Sequence, residues 1–207
     1  MPRAFELPGF RKLQLFLVLS VVLVAEFMLV YGGMNWLTSQ RNSAYQLYFD
    51  WELSIPLIPW MVYFYFSLNL LTALSLLVLS EQELKRYAQG LGAAILGAGI
   101  IFWVVPTKLG FVRLDPVPGY EEIFRRLHAW DLPHNCFPSL HITLSALSVR
   151  VMMVRARPWF RGLLIFWMSL IAASVLLLHQ HHLIDIAGGL LLAEACYRYV
   201  FLRKAVP

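Results

Sequence analysis

Charge is what this 207-residue sequence has least of: 14% of its residues are charged and 59% are hydrophobic. A soluble domain carries roughly a quarter charged residues, so a water-soluble fold is excluded. Cysteine is scarce too. Cys136 lies in a polar loop and Cys196 deep in an apolar run, which rules out a disulfide framework and makes a bridge between them unexpected. Repeats and low-complexity tracts are missing, as is a small-residue cleavage motif after the first apolar run, which is too long for a signal peptide. The formal charge of +5 does not signal a nucleic-acid partner, because the basic residues are scattered between apolar segments. In a membrane protein such scatter encodes topology.

Long apolar runs are what the sequence has. A bilayer core takes about 20 apolar residues per helix, and six candidates are present. They run from Leu13 to about Gly33, Pro56 to Leu79, Tyr87 to Val105, Pro138 to about Val154, Phe160 to Leu178 and Ile184 to Phe201. The third carries Gly90, Gly92, Gly97 and Gly99, small residues that let membrane helices approach closely. Glu26, Asn69 and Glu194 fall within spans and are expected to make interhelical hydrogen bonds. The expected fold is all-α, a single polytopic membrane domain over residues 1–207 with six transmembrane helices.

Arginine and lysine orient it. One set of loops and ends holds ten of them (Arg3, Arg11, Lys12, Lys85, Arg86, Arg155, Arg157, Arg161, Arg203 and Lys204), and the opposite set holds five. The positive-inside rule therefore predicts both termini in the cytoplasm. Arg41 is one of the five outer cations. The other four, Lys108, Arg113, Arg125 and Arg126, crowd into one outer loop over residues 106–137, against the orienting trend. They are either a solvated face or a site for an anion.

The histidines favour a site. All six, His128, His134, His141, His179, His181 and His182, lie in one third of the chain, and the topology brings them to one membrane face. Pro138-Ser139-Leu140-His141 opens a span, and proline suits a first helical turn. Ser139 and His141 would then stand at a helix N-terminus, a ready anion site. Alternatively, Ser139 merely caps the helix. In His179-Gln180-His181-His182-Leu183-Ile184-Asp185, helical spacing puts Asp185 within reach of either His181 or His182. A carboxylate on one imidazole nitrogen leaves the other free for attack. An intramembrane aspartate is costly, which marks it as functional by default, the alternative being a buried structural pair.

Pro138-Ser139-Leu140-His141, followed about forty residues later by His181-x-x-x-Asp185, resembles the type 2 phosphatidic acid phosphatase superfamily. Phe137 before the proline and leucine in place of the family's glycine are most similar to the inositol phosphorylceramide synthase branch and its bacterial relatives. Two departures stand out. Val175 follows Ser174 where the family has arginine, and Lys108 and Arg113 are five apart, with Leu114 where the family has proline. The resemblance implies a lipid phosphatase or phosphotransferase without cofactor or metal, with active-site loops over 106–141 and 179–185. In it His181 is the nucleophile forming a phosphohistidine, Asp185 orients His181, and His141 is the general acid and base. Ser139, Lys108, Arg113, Arg125 and Arg126 would hold phosphate. The implied partners are a phosphorylated lipid and the bilayer, and the implied location is a bacterial inner membrane with the site facing the periplasm or exterior. The lipid, the acceptor and the oligomeric state are left open. Two rival readings are a metal-dependent hydrolase using His179, His181, His182 and Asp185, whose residue types suit zinc, and a non-enzymatic transporter or scaffold.

Overall fold

The structure, a computed structural model, describes residues 7–202; Arg3, Arg203 and Lys204 of the charge tally lie outside them. The described residues are mostly helical, with no strand and two isolated bridges, Tyr45 to Thr107 and Lys108 to His134. Seven helices carry the fold. They are α1 (Phe10–Ser39), α2 (Pro59–Val78), α3 (Glu81–Val104), α4 (Glu121–Trp130), α5 (Leu140–Met153), α6 (Pro158–Leu177) and α7 (Leu183–Cys196). A π-helical stretch, Tyr197–Leu202, extends α7.

Four of these, α1, α2, α3 and α6, are long and apolar enough to cross a membrane. The protein is integral to the membrane, and its surface agrees: Val21, Leu29, Leu70, Ile100, Phe166 and Leu191 stand exposed along the helices, as suits a lipid surround. α5 has only 14 residues, about 21 Å at 1.5 Å per residue, as has α7 before its π-helical extension. α7 carries charge at Asp185 and Glu194, and its π-helical extension carries Arg198.

Capping moves several boundaries from their expected places. Ser80 accepts the Glu83 N–H while the Glu83 carboxylate bonds back to the Ser80 N–H. This capping box starts α3 at Glu81, six residues before the apolar run. α1 passes through a π turn at Met28–Gly32, inside its apolar stretch, and continues beyond that stretch to Ser39. A π turn holds an extra residue and shifts the inward face. None of Phe10–Phe27 is buried, whereas Asn35 and Thr38 are.

The small residues act as expected. Gly92 lies against Glu26 and Gly99 against Val30, both on α1, while Gly90 meets Leu147 on α5 and Gly97 meets Leu192 on α7. At one end of the bundle, Arg11 approaches Glu81 at 3.5 Å and Arg155 bonds Glu83 at 2.7 Å, so the starts of α1 and α3 and the end of α5 lie together. Glu194 pairs with Arg150 on α5 and with Arg198, an interhelical bond of the expected kind. Asn69 instead bonds locally, to the Phe66 carbonyl.

Candidate active site

The chain folds the two histidine blocks together through α5 and α7. Ser139 N–H donates to the Asp185 carbonyl at 3.1 Å. A Cβ on Gly189 would stand 2.7 Å from the Ser139 carbonyl, and one on Gly188 would strike the Phe137 ring. Only glycine at both positions lets the helix starts approach this closely.

Both helix starts differ from expectation. Pro138 lies before α5 and not in its first turn. Ser139 is the N-cap, its Oγ accepting the Ile142 N–H at 3.3 Å, so it does cap the helix, and it is fully buried. His181 is not on a helix at all. His182 is the N-cap of α7 and Asp185 is the third residue of the first turn, so the four-residue spacing closes across a turn and not along one helical face. Asp185 Oδ2 accepts the His182 N–H at 2.9 Å and lies 3.4 Å from His181 Nδ1. A helix N-terminus supplies donors and a favourable dipole, which offsets the cost of burying this carboxylate.

Spacing left His181 and His182 equivalent; their surroundings do not. His182 Nε2 accepts the Gly110 N–H at 3.1 Å, and its Nδ1 lies 3.4 Å from Glu52 Oε2. Its ring is stacked between Tyr48 and Phe111, and Phe111 stacks in turn on His179. Burial holds the His182 pKa below the usual histidine range despite the nearby carboxylates of Asp185 and Glu52, so it is neutral at pH 7. His182 is a structural pin: Gly110 N–H holds its Nε2, two aromatic rings hold its faces, and Nδ1, which makes no formed hydrogen bond, is turned to Glu52. His181 turns Nδ1 to Asp185, where it makes no formed hydrogen bond, and leaves Nε2 for a cavity.

That cavity, about 410 Å³, is lined by His141 and His181 together with Phe27 and Tyr31 of α1, Tyr65, Phe66 and Leu68 of α2, Arg126, Leu127 and Trp130 of α4, Asp131, and Leu140 and Leu144 of α5. His141 Nε2 bonds the Tyr65 carbonyl at 2.8 Å. A carbonyl only accepts, so Nε2 carries the proton and Nδ1 is the basic atom. The Tyr65 ring stacks on the imidazole at 3.9 Å between centroids.

The predicted cations part ways. Arg113 is half-buried beside the histidine turn: Nη2 donates to Gln180 Oε1 at 3.1 Å, and its buried Nε makes no hydrogen bond. Arg125 and Arg126 both pair with Glu122 on exposed α4, and of the two only Arg126 reaches the cavity. Lys108 is exposed and borders a separate pocket with Arg41 and His134. Val175, where the family has arginine, is fully buried, and its carbonyl accepts the N–H groups of Gln180 and His181.

Three residues carry no signal in the sequence. Glu52, fully buried, accepts the Phe49 and Leu183 N–H groups, and its distance from the motifs in the chain gives no spacing to read. Tyr31 and Tyr65 sit among other aromatics in apolar runs, where nothing sets them apart. The metal reading has little geometry behind it: His179 Nε2 faces the Ile55 carbonyl at 2.9 Å, and among the described residues no three His, Cys, Asp or Glu side chains are placed to share an ion.

A search of curated proteins returned no match. The model of the PAP2 superfamily matches residues 86–205, more than half of the chain, including the charged loop, both histidine blocks and the glycines that join them, and the chain belongs to that superfamily.

Proposed function

We propose that this protein is a lipid phosphate phosphatase or phosphotransferase that works through a phosphohistidine at the outer membrane face, with six passes and both termini in the cytoplasm. The observation that carries this reading is a single one. His141 and His181, forty residues apart, line the same largely apolar cavity, which suits a lipid body with a reactive head. His181 Nε2 attacks phosphorus, and the bond to the leaving oxygen breaks. The proton on His181 Nδ1 faces Asp185, which steadies the imidazolium. His141, protonated at Nδ1, gives that proton to the leaving oxygen and then takes one from water or an alcohol, which attacks phosphorus and releases His181. Water as acceptor yields inorganic phosphate, and an alcohol yields a new phosphoester. A panel of lipid phosphates offered with and without alcohols, scored for both products, tests the reading; neither product from any member would sink it.

Phosphate binding falls to Arg113, which is held by Gln180, beside His181 in the chain, with Ser139 at the N-terminus of α5. Arg113 takes the part of the arginine that Val175 replaces. Arg41, by contrast, lies over Trp103 and bonds its carbonyl, outside the cavity that His141 and His181 line. Neutralising a charge on phosphate removes roughly 1.5–3 kcal/mol, so Arg113→Ala should lose about ten- to a hundredfold in kcat/KM. Arg41→Ala should stay close to the parent. Equal activity of the two variants would remove Arg113 from the site.

The location that follows is a bacterial inner membrane, with the site toward the periplasm or exterior. Cys136 and Cys196 are buried, so the test replaces both and adds one cysteine at a time. Val112→Cys, in the exposed outer loop, should react with an impermeant thiol reagent in intact cells. Trp159→Cys, exposed at the start of α6, should react only after the membrane is opened. The reverse pattern would invert the topology.

A further inference from the structure

Asp131 is placed where elementary electrostatics opposes it. It stands at the C-terminal end of α4, where the helix dipole disfavours an anion, and borders an apolar cavity. Among the described residues no cation lies within ion-pair distance of it. Two hydroxyls from two different long helices converge on it instead: Tyr31 of α1 donates to Oδ1, and Tyr65 of α2 donates to Oδ2 at 2.6 Å. Each carboxylate oxygen accepts more than one hydrogen bond, so both retain capacity toward the cavity. The tyrosines fix the carboxylate without neutralising it.

Its position relative to the histidines decides what it can recognise. The Tyr65 ring that stacks on His141 is the one whose hydroxyl holds Asp131, so half a phenol ring and one hydrogen bond separate the carboxylate from the imidazole plane. Arg113 is held by Gln180 next to His181. A carboxylate repels phosphate oxygens, so Asp131 suits not the phosphoryl group but the alcohol that leaves from, or attacks through, the neighbouring His141.

We propose that Asp131, held by Tyr31 and Tyr65, recognises a hydrogen-bond donor, a hydroxyl or N–H, on the carbon next to the reacting oxygen of the leaving or acceptor alcohol. This rests on the phosphohistidine reading and narrows its substrate class. Alcohols with a free neighbouring donor are preferred over those whose neighbouring position is esterified or etherified.

A matched pair of lipids tests it on purified protein: a 1-acyl-2-hydroxyglycerol 3-phosphate and its 2-O-methyl ether, compared by kcat/KM for phosphate release. A hydrogen bond to a charged group is worth roughly ten- to a hundredfold, and the unmodified protein should prefer the hydroxyl lipid by that factor. Asp131→Asn keeps a neutral acceptor and should shrink the ratio to a few-fold, while Asp131→Ala should bring it near one. A ratio near one in the unmodified protein overturns the proposal without any variant having to fold. An unchanged ratio in both variants overturns it equally. Phosphate release from neither lipid, nor transfer to an added alcohol, would overturn the phosphohistidine reading as well, so the two failures are distinguishable.

Discussion

Rapidly quenched reaction of the protein with a lipid phosphate radiolabelled at phosphorus should leave label on the polypeptide that survives alkali and is lost in acid, as expected of phosphohistidine. In His181→Ala the label should disappear and turnover should fall by several orders of magnitude, since removing a nucleophile removes the covalent route altogether. In His182→Ala the label should persist. That variant strips the Gly110 N–H of its acceptor and breaks the stack between Tyr48 and Phe111. Its principal cost should therefore be stability, with roughly 1–3 kcal/mol for the stranded buried group alone. Chelators should not change the rate, because His181 supplies the nucleophile that a metal hydroxide would otherwise provide. Label retained in His181→Ala and lost in His182→Ala would exchange the roles of the two histidines. Activity removed by chelation and restored by zinc would revive the metal reading.

His141→Ala should lose about 10²- to 10⁴-fold in rate with a natural lipid alcohol as leaving group, the usual worth of general acid–base assistance. The loss should be much smaller in formation of the phosphoenzyme from a nitrophenyl phosphate, because nitrophenolate departs without a proton. Dephosphorylation of that intermediate should still be slow, since attack by water or alcohol needs Nδ1 as base. Stopped-flow release of nitrophenolate should then show a burst followed by a slow steady state. Equal slowing of both leaving groups, with no burst, would mean that His141 positions substrate and transfers no proton.

Much of the architecture is legible in the sequence because a bilayer is a simple solvent. Long apolar runs, paucity of charge and glycines at helical spacing give an all-helical membrane protein and name the faces where helices meet. Helix starts were less legible. The capping box at Ser80 extends α3 back through Glu81, Lys85 and Arg86, beyond what hydropathy marks as membrane. Ser139 and His182 fall just outside their helices because each sits at an N-cap, where backbone geometry and side-chain capping outweigh periodicity. The amphipathic helix Glu121–Trp130 lay hidden inside what reads as a charged loop.

For the site, the sequence by itself determined the superfamily and singled out His141, His181, Asp185 and Ser139 as candidates, since their types and spacing form a motif in one dimension. The motif named His181 over His182, which helical spacing treats alike, and only the tertiary structure supplied the physical difference, one turned toward a cavity and the other held between Glu52, Gly110 and two aromatic rings. Only the fold divided the cations, placing Arg113 beside the histidines, tying Arg125 and Arg126 to Glu122 and leaving Lys108 exposed. Glu52, Tyr31, Tyr65 and Asp131 come from loops and helices far apart along the chain. Their meaning is a matter of distance in space, and distances between segments are decided by how α1, α2, α5 and α7 pack. A carboxylate or a tyrosine carries no mark of its partner until packing supplies one.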